Sequence, residues 1–173
     1  VNFFDTSPVY VRGLSERATG IALTCHPRES YYVSTKLSNF SDWSRENSLA
    51  MYHRSFRELQ VDYIDYYLLH SLGGGGMDAF RKRYVDNGML DFLMEERKAG
   101  RIRHLGWSFH GSKEVFDEIL ALHETYHWDF VLLQMNYVDW HIAKGSGIGA
   151  EYLYTELAKR EIPVMVMEPL LGG

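Results

Sequence analysis

Four residues in the first half of the chain have the side-chain types that can deliver a proton to a carbonyl oxygen. Asp5 closes an apolar run, Tyr10 follows it, and Lys36 and His70 each close a further apolar run. A phenol is a weak acid with a reference pKa of about 10, and a neighbouring ammonium such as Lys36 lowers that pKa because it favours the phenolate. Asp5 would hold the lysine charged, and neutral His70 would orient the carbonyl. The set lacks a hydride donor, which implies a nicotinamide cofactor.

The elements that must position these residues are runs of β-favouring residues alternating with segments of helical periodicity. Strands are predicted over 1–5, 31–36, 63–70, 102–108, 130–136 and 163–168. Helices are predicted over 14–24, 44–60, 77–99 with a break at Asn87-Gly88, from Ser112 onwards, and after a glycine-rich loop at 145–149 as far as about Glu161. Near-continuous apolar strands between helices are typical of a parallel sheet covered by helices.

Each predicted strand ends in polar residues, which distinguishes two parallel α/β architectures. The ends are Asp5, Lys36, His70, Ser108 with His110, Gln134 with Asn136, and Glu168. In an αβ barrel the carboxyl ends of all strands meet at the face that carries the active site, whereas a doubly wound sheet needs polar groups mainly at its switch point. We therefore predict the α/β class and a (β/α)8 TIM barrel represented by about six βα units. It would form one partial barrel domain over residues 1–173, without the first and eighth strands.

Composition excludes several other kinds of protein. The 173 residues are 46% hydrophobic with a net charge of −5, and this acidity argues against a nucleic-acid partner. Cys25 is the one cysteine, so the chain has neither a disulfide framework nor a cysteine-ligated cluster. No apolar run approaches the ~20 residues of a membrane span, and no signal peptide is visible. We predict a cytoplasmic protein with no membrane partner, and no spacing such as His-Glu-x-x-His predicts a metal site.

Five motifs in register resemble the aldo-keto reductase family. Their order and spacing agree with the family along essentially the whole chain. The resemblance implies a (β/α)8 barrel that reduces aldehydes or ketones with NADPH, with Tyr10 as general acid and the other three residues in the roles given above. The motifs are Asn-Phe-Phe-Asp-Thr-Ser-Pro-Val-Tyr at 2–10, Val-Ser-Thr-Lys at 33–36, Tyr-Leu-Leu-His at 67–70, Gly-Trp-Ser at 106–108 and Leu-Gln-Met-Asn at 133–136.

The same resemblance implies which residues contact the cofactor and the substrate. Ser108 and Gln134 match the positions that hold the nicotinamide carboxamide, although the asparagine that usually follows this serine is Phe109 here. Glu168 stands near the place where the family often stacks an aromatic ring on the nicotinamide. The full set predicted at the cofactor is Ser108, Gln134, Asn136, Glu168 and Leu170, and the substrate pocket is assigned to Trp107 and His110.

Three segments are similar to a bacterial branch of this family that is often fused to a ferredoxin-like iron–sulfur domain. They are Ser-Phe-His-Gly at 108–111, the four glycines at 73–76, and Met-Glu-Pro-Leu-Leu-Gly-Gly at 167–173. With Cys25 alone, this chain does not hold such a cluster.

Two other functions stay open at this point. One is a non-catalytic barrel that binds a nucleotide and acts as a regulatory or partner subunit. The other is a metal-dependent isomerase or aldolase, which would need clustered carboxylates and histidines, whereas the acids at the strand ends are Asp5 and Glu168. The choice of carbonyl substrate, the preference between NADPH and NADH, and the oligomeric state are also open.

Overall fold

The computed structural model describes residues 1–141 and 148–170. Six strands occur in the sheet in chain order, and the registered pairs are parallel. The six predicted strands are confirmed, because each observed end lies within two residues of the predicted one. The strands are β1 (Phe3–Asp5), β2 (Tyr32–Leu37), β3 (Ile64–Leu72), β4 (Ile102–Phe109), β5 (Phe130–Gln134) and β6 (Val164–Met167).

Helices separate the strands as predicted, including the break at Asn87–Gly88. Gly88 has a φ of 67°, a left-handed conformation that glycine adopts without a steric penalty. Of the predicted glycine-rich loop at 145–149, residues 145–147 lie outside the described part of the chain. The helices are α1 (Ser15–Leu23), α2 (Arg45–Leu59), α3 (Gly76–Phe80) with a following π-type turn (Arg81–Val85), α4 (Met89–Lys98), α5 (Lys113–Ala121), α6 (His123–Tyr126) and α7 (Ala150–Ala158).

Residues at the helix termini explain where α2 begins and where α4 ends. The Ser44 side chain accepts a hydrogen bond of 3.2 Å from the Asn47 N–H, so it satisfies one of the donors left unpaired at the start of α2. Helix α4 carries Arg97 and Lys98 in its last turn, and Gly100 follows with a φ of 78°. Both features are typical helix stop signals.

The chain divides into two compact units. The first contains Val1–His70 and Arg81–Leu105, and the second contains Ser71–Phe80 and Gly106–Gly173. Strands β3 and β4 each contribute residues to both units. All four proposed proton-transfer residues belong to the first unit, and all the predicted cofactor and pocket residues belong to the second. The expectation of one domain over residues 1–173 stays a prediction.

In the first unit, helices α1 and α2 pack unusually closely. A Cβ atom added to Gly20 would lie 2.2 Å from the Glu58 carbonyl oxygen, so a side chain at residue 20 would force the two helices apart. Tyr52 and Leu59 of α2 are buried, and the Tyr52 ring lies 5.4 Å from the ring of buried Tyr67 of β3. This packing fixes the layer that supports β2 and β3.

Glu16 of α1 is a buried carboxyl group in the same layer. It is 2% exposed and accepts a 2.6 Å hydrogen bond from the Thr35 hydroxyl. Burial raises the pKa of Glu16, and hydrogen bonds from Thr35 and Ser55 partly oppose this effect. A carboxyl whose pKa is higher in the folded state contributes stability below its unfolded pKa, and that contribution is lost as the pH rises through the folded pKa.

We expect Glu16→Gln to increase the free energy of unfolding at neutral and alkaline pH. The amide oxygen can still accept from Thr35, while the buried negative charge is removed. Urea titrations at pH about 5 and about 8 would measure the change, with the exposed Glu29→Gln as a control. Wild type should lose stability relative to Glu16→Gln between the two pH values. Parallel pH dependence in wild type and variant would contradict the assignment.

Candidate active site

Asp5 and Lys36 form an ion pair at the carboxyl ends of β1 and β2. The parallel register places Asp5 opposite Ser34. The Lys36 ammonium donates hydrogen bonds to both Asp5 carboxylate oxygens at 2.7 Å and to the Thr6 carbonyl at 2.8 Å. The Ser34 hydroxyl donates to the same carboxylate at 2.7 Å. The lysine is therefore held by neighbouring strands in one orientation.

The two partners of this ion pair differ in exposure. The side chain of Lys36 is 1% exposed, whereas that of Asp5 is 38% exposed. Burial lowers the pKa of Lys36, and the charge and hydrogen bonds of Asp5 oppose that effect. Asp5 is thus the group that keeps the buried amine protonated.

Tyr10 lies over this ammonium. The Lys36 nitrogen is 4.8 Å from the centroid of the Tyr10 ring, and the tyrosine is 38% exposed. Tyr10 begins a 3-10 turn in which Val11 and Arg12 have φ values of 51° and 55°. Left-handed backbone is unfavourable for a β-branched residue such as Val11. Strain of this kind is concentrated at functional sites, which supports a role for the turn that carries Tyr10.

His70 of β3 completes the group. Its ring centroid lies 5.9 Å from that of Tyr10, edge to face at 78°. Its Nδ1 atom is 2.6 Å from the Ser38 hydroxyl oxygen, and the Phe40 ring lies at 5.0 Å on centroids. The structure therefore brings together, in the first unit, Asp5, Lys36 and His70 from three strands and Tyr10 from the turn that follows β1.

Several residues that support this cluster were not identified in the sequence. Ser38 contacts His70, and Ser7 lies 2.9 Å from Ser38 between hydroxyl oxygens. Buried Arg83 donates a 3.0 Å hydrogen bond to the His70 carbonyl and stacks on the Phe40 ring at 5.1 Å. The local sequence feature that could have identified Ser38 is its position directly after β2, the strand that contains Lys36. Arg83 offers no signal, because it comes from a separate helical segment.

In the second unit, the side chains of Ser108 and Gln134 have polar groups that can form hydrogen bonds with a carboxamide group. Ser108 is buried, and its hydroxyl oxygen accepts a 2.7 Å hydrogen bond from the Ser71 N–H. Gln134 is half-buried, and its amide nitrogen donates to the Asp139 carboxylate at 3.3 Å. Asp139 is itself buried and was missed in the sequence. The serine can still donate its hydroxyl proton, and the Gln134 amide is oriented by Asp139.

Asn136 is engaged in a local turn. Its side-chain oxygen accepts from the N–H groups of Val138 and Asp139 at 3.0 Å each, and its amide nitrogen donates to the Asp139 carboxylate at 2.9 Å. This is the Asx-type pattern with which asparagine stabilises turns. Its predicted contact with a cofactor stays a prediction.

The other predicted residues of this unit lie in different surroundings. Trp107 is completely buried, and its ring packs on Phe109 and Phe116 at 5.9 and 5.7 Å. This places Trp107 in the packing between β4 and α5, and its assignment to a substrate pocket stays a prediction. His110, Glu168 and Leu170 are exposed, and their roles likewise stay predictions.

A cavity of about 460 Å³ lies at the carboxyl ends of β5 and β6 in the second unit. It is lined by Met135, Asn136, Tyr137, Trp140, His141 and Pro169.

Residues 1–141 and 148–170 contain no group of three or more His, Cys, Asp or Glu side chains placed to hold a metal ion. None of the helices in those ranges is both long and apolar enough to cross a bilayer.

The chain belongs to the aldo/keto reductase family, whose model matches residues 1–173. It is similar to L-galactose dehydrogenase of Arabidopsis thaliana, with 32% identity over 111 residues that cover 61% of this chain and 33% of the relative. It is also similar to 9,11-endoperoxide prostaglandin H2 reductase of Trypanosoma cruzi, with 36% identity over 115 residues that cover 65% of this chain and 37% of the relative. The chain thus spans about a third of the length of these relatives.

Solved structures of aldo-keto reductases share the fold. The holo form of one from Bacillus halodurans matches all of this chain and 52% of its own, with a TM-score of 0.74 and 26% identity. One from Klebsiella pneumoniae in complex with NADPH matches 99% of this chain and 54% of its own, with a TM-score of 0.74 and 20% identity. The predicted fold class is confirmed: the chain represents part of a (β/α)8 barrel. The similarity to the branch fused to a ferredoxin-like domain stays a prediction, as does the cytoplasmic location.

Proposed function

We propose that the protein reduces an aldehyde or ketone to the corresponding alcohol, with NADPH as the reductant. The observation that carries this proposal is the buried Lys36 ammonium, bonded to Asp5 and lying 4.8 Å from the centre of the Tyr10 ring. A buried ammonium beside a phenol lowers the cost of forming a phenolate. His70 at the edge of the same ring adds a hydrogen-bonding group.

Proton delivery is the step that these residues perform. Tyr10 would give its hydroxyl proton to the carbonyl oxygen as negative charge develops there during the reduction. The resulting phenolate is stabilised by Lys36, which Asp5 keeps protonated. Because Tyr10 is 38% exposed, solvent can return the proton after the alcohol leaves. His70 orients the carbonyl by donating a hydrogen bond to its oxygen.

The residues that would hold the nicotinamide carboxamide are Ser108 and Gln134. The Ser108 oxygen already accepts from the Ser71 N–H, so its own proton is available to a carbonyl acceptor. The Gln134 amide nitrogen donates to Asp139, which leaves the amide oxygen to accept from an NH2 group. These donors and acceptors fit a carboxamide. When bound, NADPH supplies the hydride and thereby the two electrons of the reduction.

The substrate surface beside the proposed site is apolar and aromatic. Phe40 is 45% exposed, and its ring centroid lies 5.0 Å from that of His70. Arg83 stacks on the same ring and fixes its position. We therefore propose a small-molecule carbonyl compound with an apolar or aromatic substituent.

We expect Gln134→Leu to weaken NADPH binding by roughly three- to tenfold, the value of one lost hydrogen bond. The dissociation constant would be measured by calorimetric titration of the full-length protein with NADPH. The KM for the aldehyde and kcat at saturating NADPH serve as internal controls and should be nearly unchanged. Unaltered NADPH affinity in Gln134→Leu would contradict the role given to this residue.

The proposal is tested by following NADPH oxidation by the full-length protein with a nitrobenzaldehyde. We expect one alcohol formed for each NADPH consumed. NADPH binding without turnover across a panel of aldehydes and ketones would contradict reduction. It would favour the alternative, a nucleotide-binding barrel that acts as a regulatory or partner subunit.

A further inference from the structure

Three polar side-chain atoms form a buried row behind the Tyr10–His70 pair. The Nδ1 atom of His70 is 2.6 Å from the Ser38 hydroxyl oxygen, which is 2.9 Å from the Ser7 hydroxyl oxygen. The Val9 N–H donates to Ser7 at 3.3 Å. Ser7 is 0% and Ser38 is 2% exposed, so both hydroxyl groups depend on protein partners.

The direction of these hydrogen bonds follows from the acceptors available to the hydroxyl protons of Ser7 and Ser38. Among the described residues, the side-chain oxygen of Ser7 contacts the Val9 N–H, which is a donor, and the Ser38 hydroxyl. Ser7 must therefore donate its own proton to Ser38, since Val9 offers no acceptor there. Ser38 then donates its proton to Nδ1 of His70. In the opposite direction, Ser7 would bury a hydroxyl proton with no acceptor, at a cost of about 1–3 kcal/mol.

We propose that Ser38, held by Ser7, is a positioning residue that keeps neutral His70 in the tautomer with its proton on Nε2. An Nδ1 atom that accepts a hydrogen bond carries no proton, so the proton of the neutral ring lies on Nε2. Nε2–H is the donor that a substrate carbonyl requires. This inference rests on the proposed carbonyl reduction and adds a reason why His70 acts as a donor in it.

Packing around the ring supports a single orientation for this donor. The Tyr10 and Phe40 rings lie 5.9 and 5.0 Å from the His70 ring on centroids. Arg83 donates to the His70 carbonyl at 3.0 Å, so the backbone is held as well. Ser38 therefore fixes which ring nitrogen points away from the buried row.

The tautomer is tested by 15N NMR of the full-length protein labelled at histidine. Spectra are recorded at pH about 8.5, two pH units above the reference histidine pKa of about 6.5. The His70 signals are assigned by their loss in His70→Asn. We expect a protonated Nε2 and an unprotonated Nδ1, with the Nδ1 resonance shifted in Ser38→Ala. A protonated Nδ1 in wild type would overturn the proposal.

Kinetics of matched serine variants give a second readout. We expect Ser38→Ala to lower kcat by roughly ten- to a hundredfold, since a loosely oriented group loses its alignment, with the KM for NADPH unchanged. Ser7→Ala should have a smaller effect, and Ser38→Thr should keep most of the rate because it retains the hydroxyl. Ser55→Ala is the control, because Ser55 is a buried serine of α2 that lies outside the row of Ser7, Ser38 and His70.

The outcomes separate the two proposals. Equal kcat in Ser38→Ala and Ser55→Ala, with an unchanged Nδ1 resonance, would overturn the role of Ser38. A wild-type protein that reduces no carbonyl compound, yet shows the Nε2 tautomer and its dependence on Ser38, would overturn the proposed function and support the tautomer assignment.

Discussion

Tyr10→Phe is expected to lower kcat by roughly 10²–10⁴-fold, the usual contribution of a positioned proton donor. The substitution removes only the hydroxyl oxygen, so the ring can keep its contacts with Lys36 and His70. NADPH binding should be unchanged, because hydride donation and proton donation involve different groups. The measurement is the rate of NADPH oxidation with a nitrobenzaldehyde at saturating concentrations of both reactants.

Tyr32→Phe is the matched control for this experiment. Tyr32 is 45% exposed, close to the 38% of Tyr10, and its ring packs against Tyr66 instead of the ion pair. It should retain wild-type kcat. If Tyr10→Phe also turns over at the wild-type rate, the carbonyl oxygen receives its proton from another donor and the role of Tyr10 is wrong.

Asp5→Asn and Lys36→Met are expected to abolish most activity while changing stability in different ways. In Asp5→Asn the buried Lys36 ammonium loses its counter-charge. Leaving one partner of a buried pair uncompensated costs about 3–5 kcal/mol, and the value should fall toward the lower end because the Asp5 side of the pair is 38% exposed.

Lys36→Met removes the buried charge and fills a similar volume. Burial lowers the pKa of Lys36 despite the opposing effect of Asp5. With a folded pKa below its unfolded value, this lysine contributes stability at pH above its unfolded pKa, and the contribution is lost as the pH falls through the folded pKa. At neutral pH the charged form is thus held at a net cost, so Lys36→Met should be at least as stable as wild type.

Urea unfolding at neutral pH and kcat measured on the same preparations test both variants together. We expect kcat to fall by at least roughly 10²-fold in each, because the phenolate of Tyr10 loses its stabilising charge. A large stability loss in Lys36→Met with none in Asp5→Asn would contradict the view that Asp5 serves to keep a buried ammonium protonated.

The sequence was sufficient for the positions of Asp5, Lys36 and His70. Each lies at the end of a predicted strand rich in β-favouring residues, and the carboxyl ends of parallel strands lie at one edge of their sheet. The alternation of a strand also places Ser34 and Lys36 on the same face, and both contact Asp5. Tyr10 was harder to predict, because it lies in a turn whose left-handed residues leave no sequence pattern.

The surroundings of other residues could not be predicted, because they depend on packing between distant elements. Strand alternation places Trp107 and Ser108 on opposite faces, but only the rings of Phe109 and Phe116 show which face is packed against α5. The sequence places Asn136 at a strand end, but β5 ends at Gln134. The Asn136 side chain instead forms hydrogen bonds within a turn, including one to the Asp139 carboxylate.

What the sequence by itself determined is the family, the succession of strands and helices, and the four residues proposed to transfer a proton. The strands and helices depend on local periodicity, the choice of Asp5, Lys36 and His70 depends on residue types at strand ends, and the family and the choice of Tyr10 depend on the resemblance of the five motifs. Only the tertiary structure decided which atoms of those residues meet, as in the row from Ser7 through Ser38 to His70. Ser7 and Ser38 are 31 residues apart along the chain. Ser7 follows β1 and Ser38 follows β2, so their contact depends on how these two segments pack together and not on any pattern of neighbouring residues.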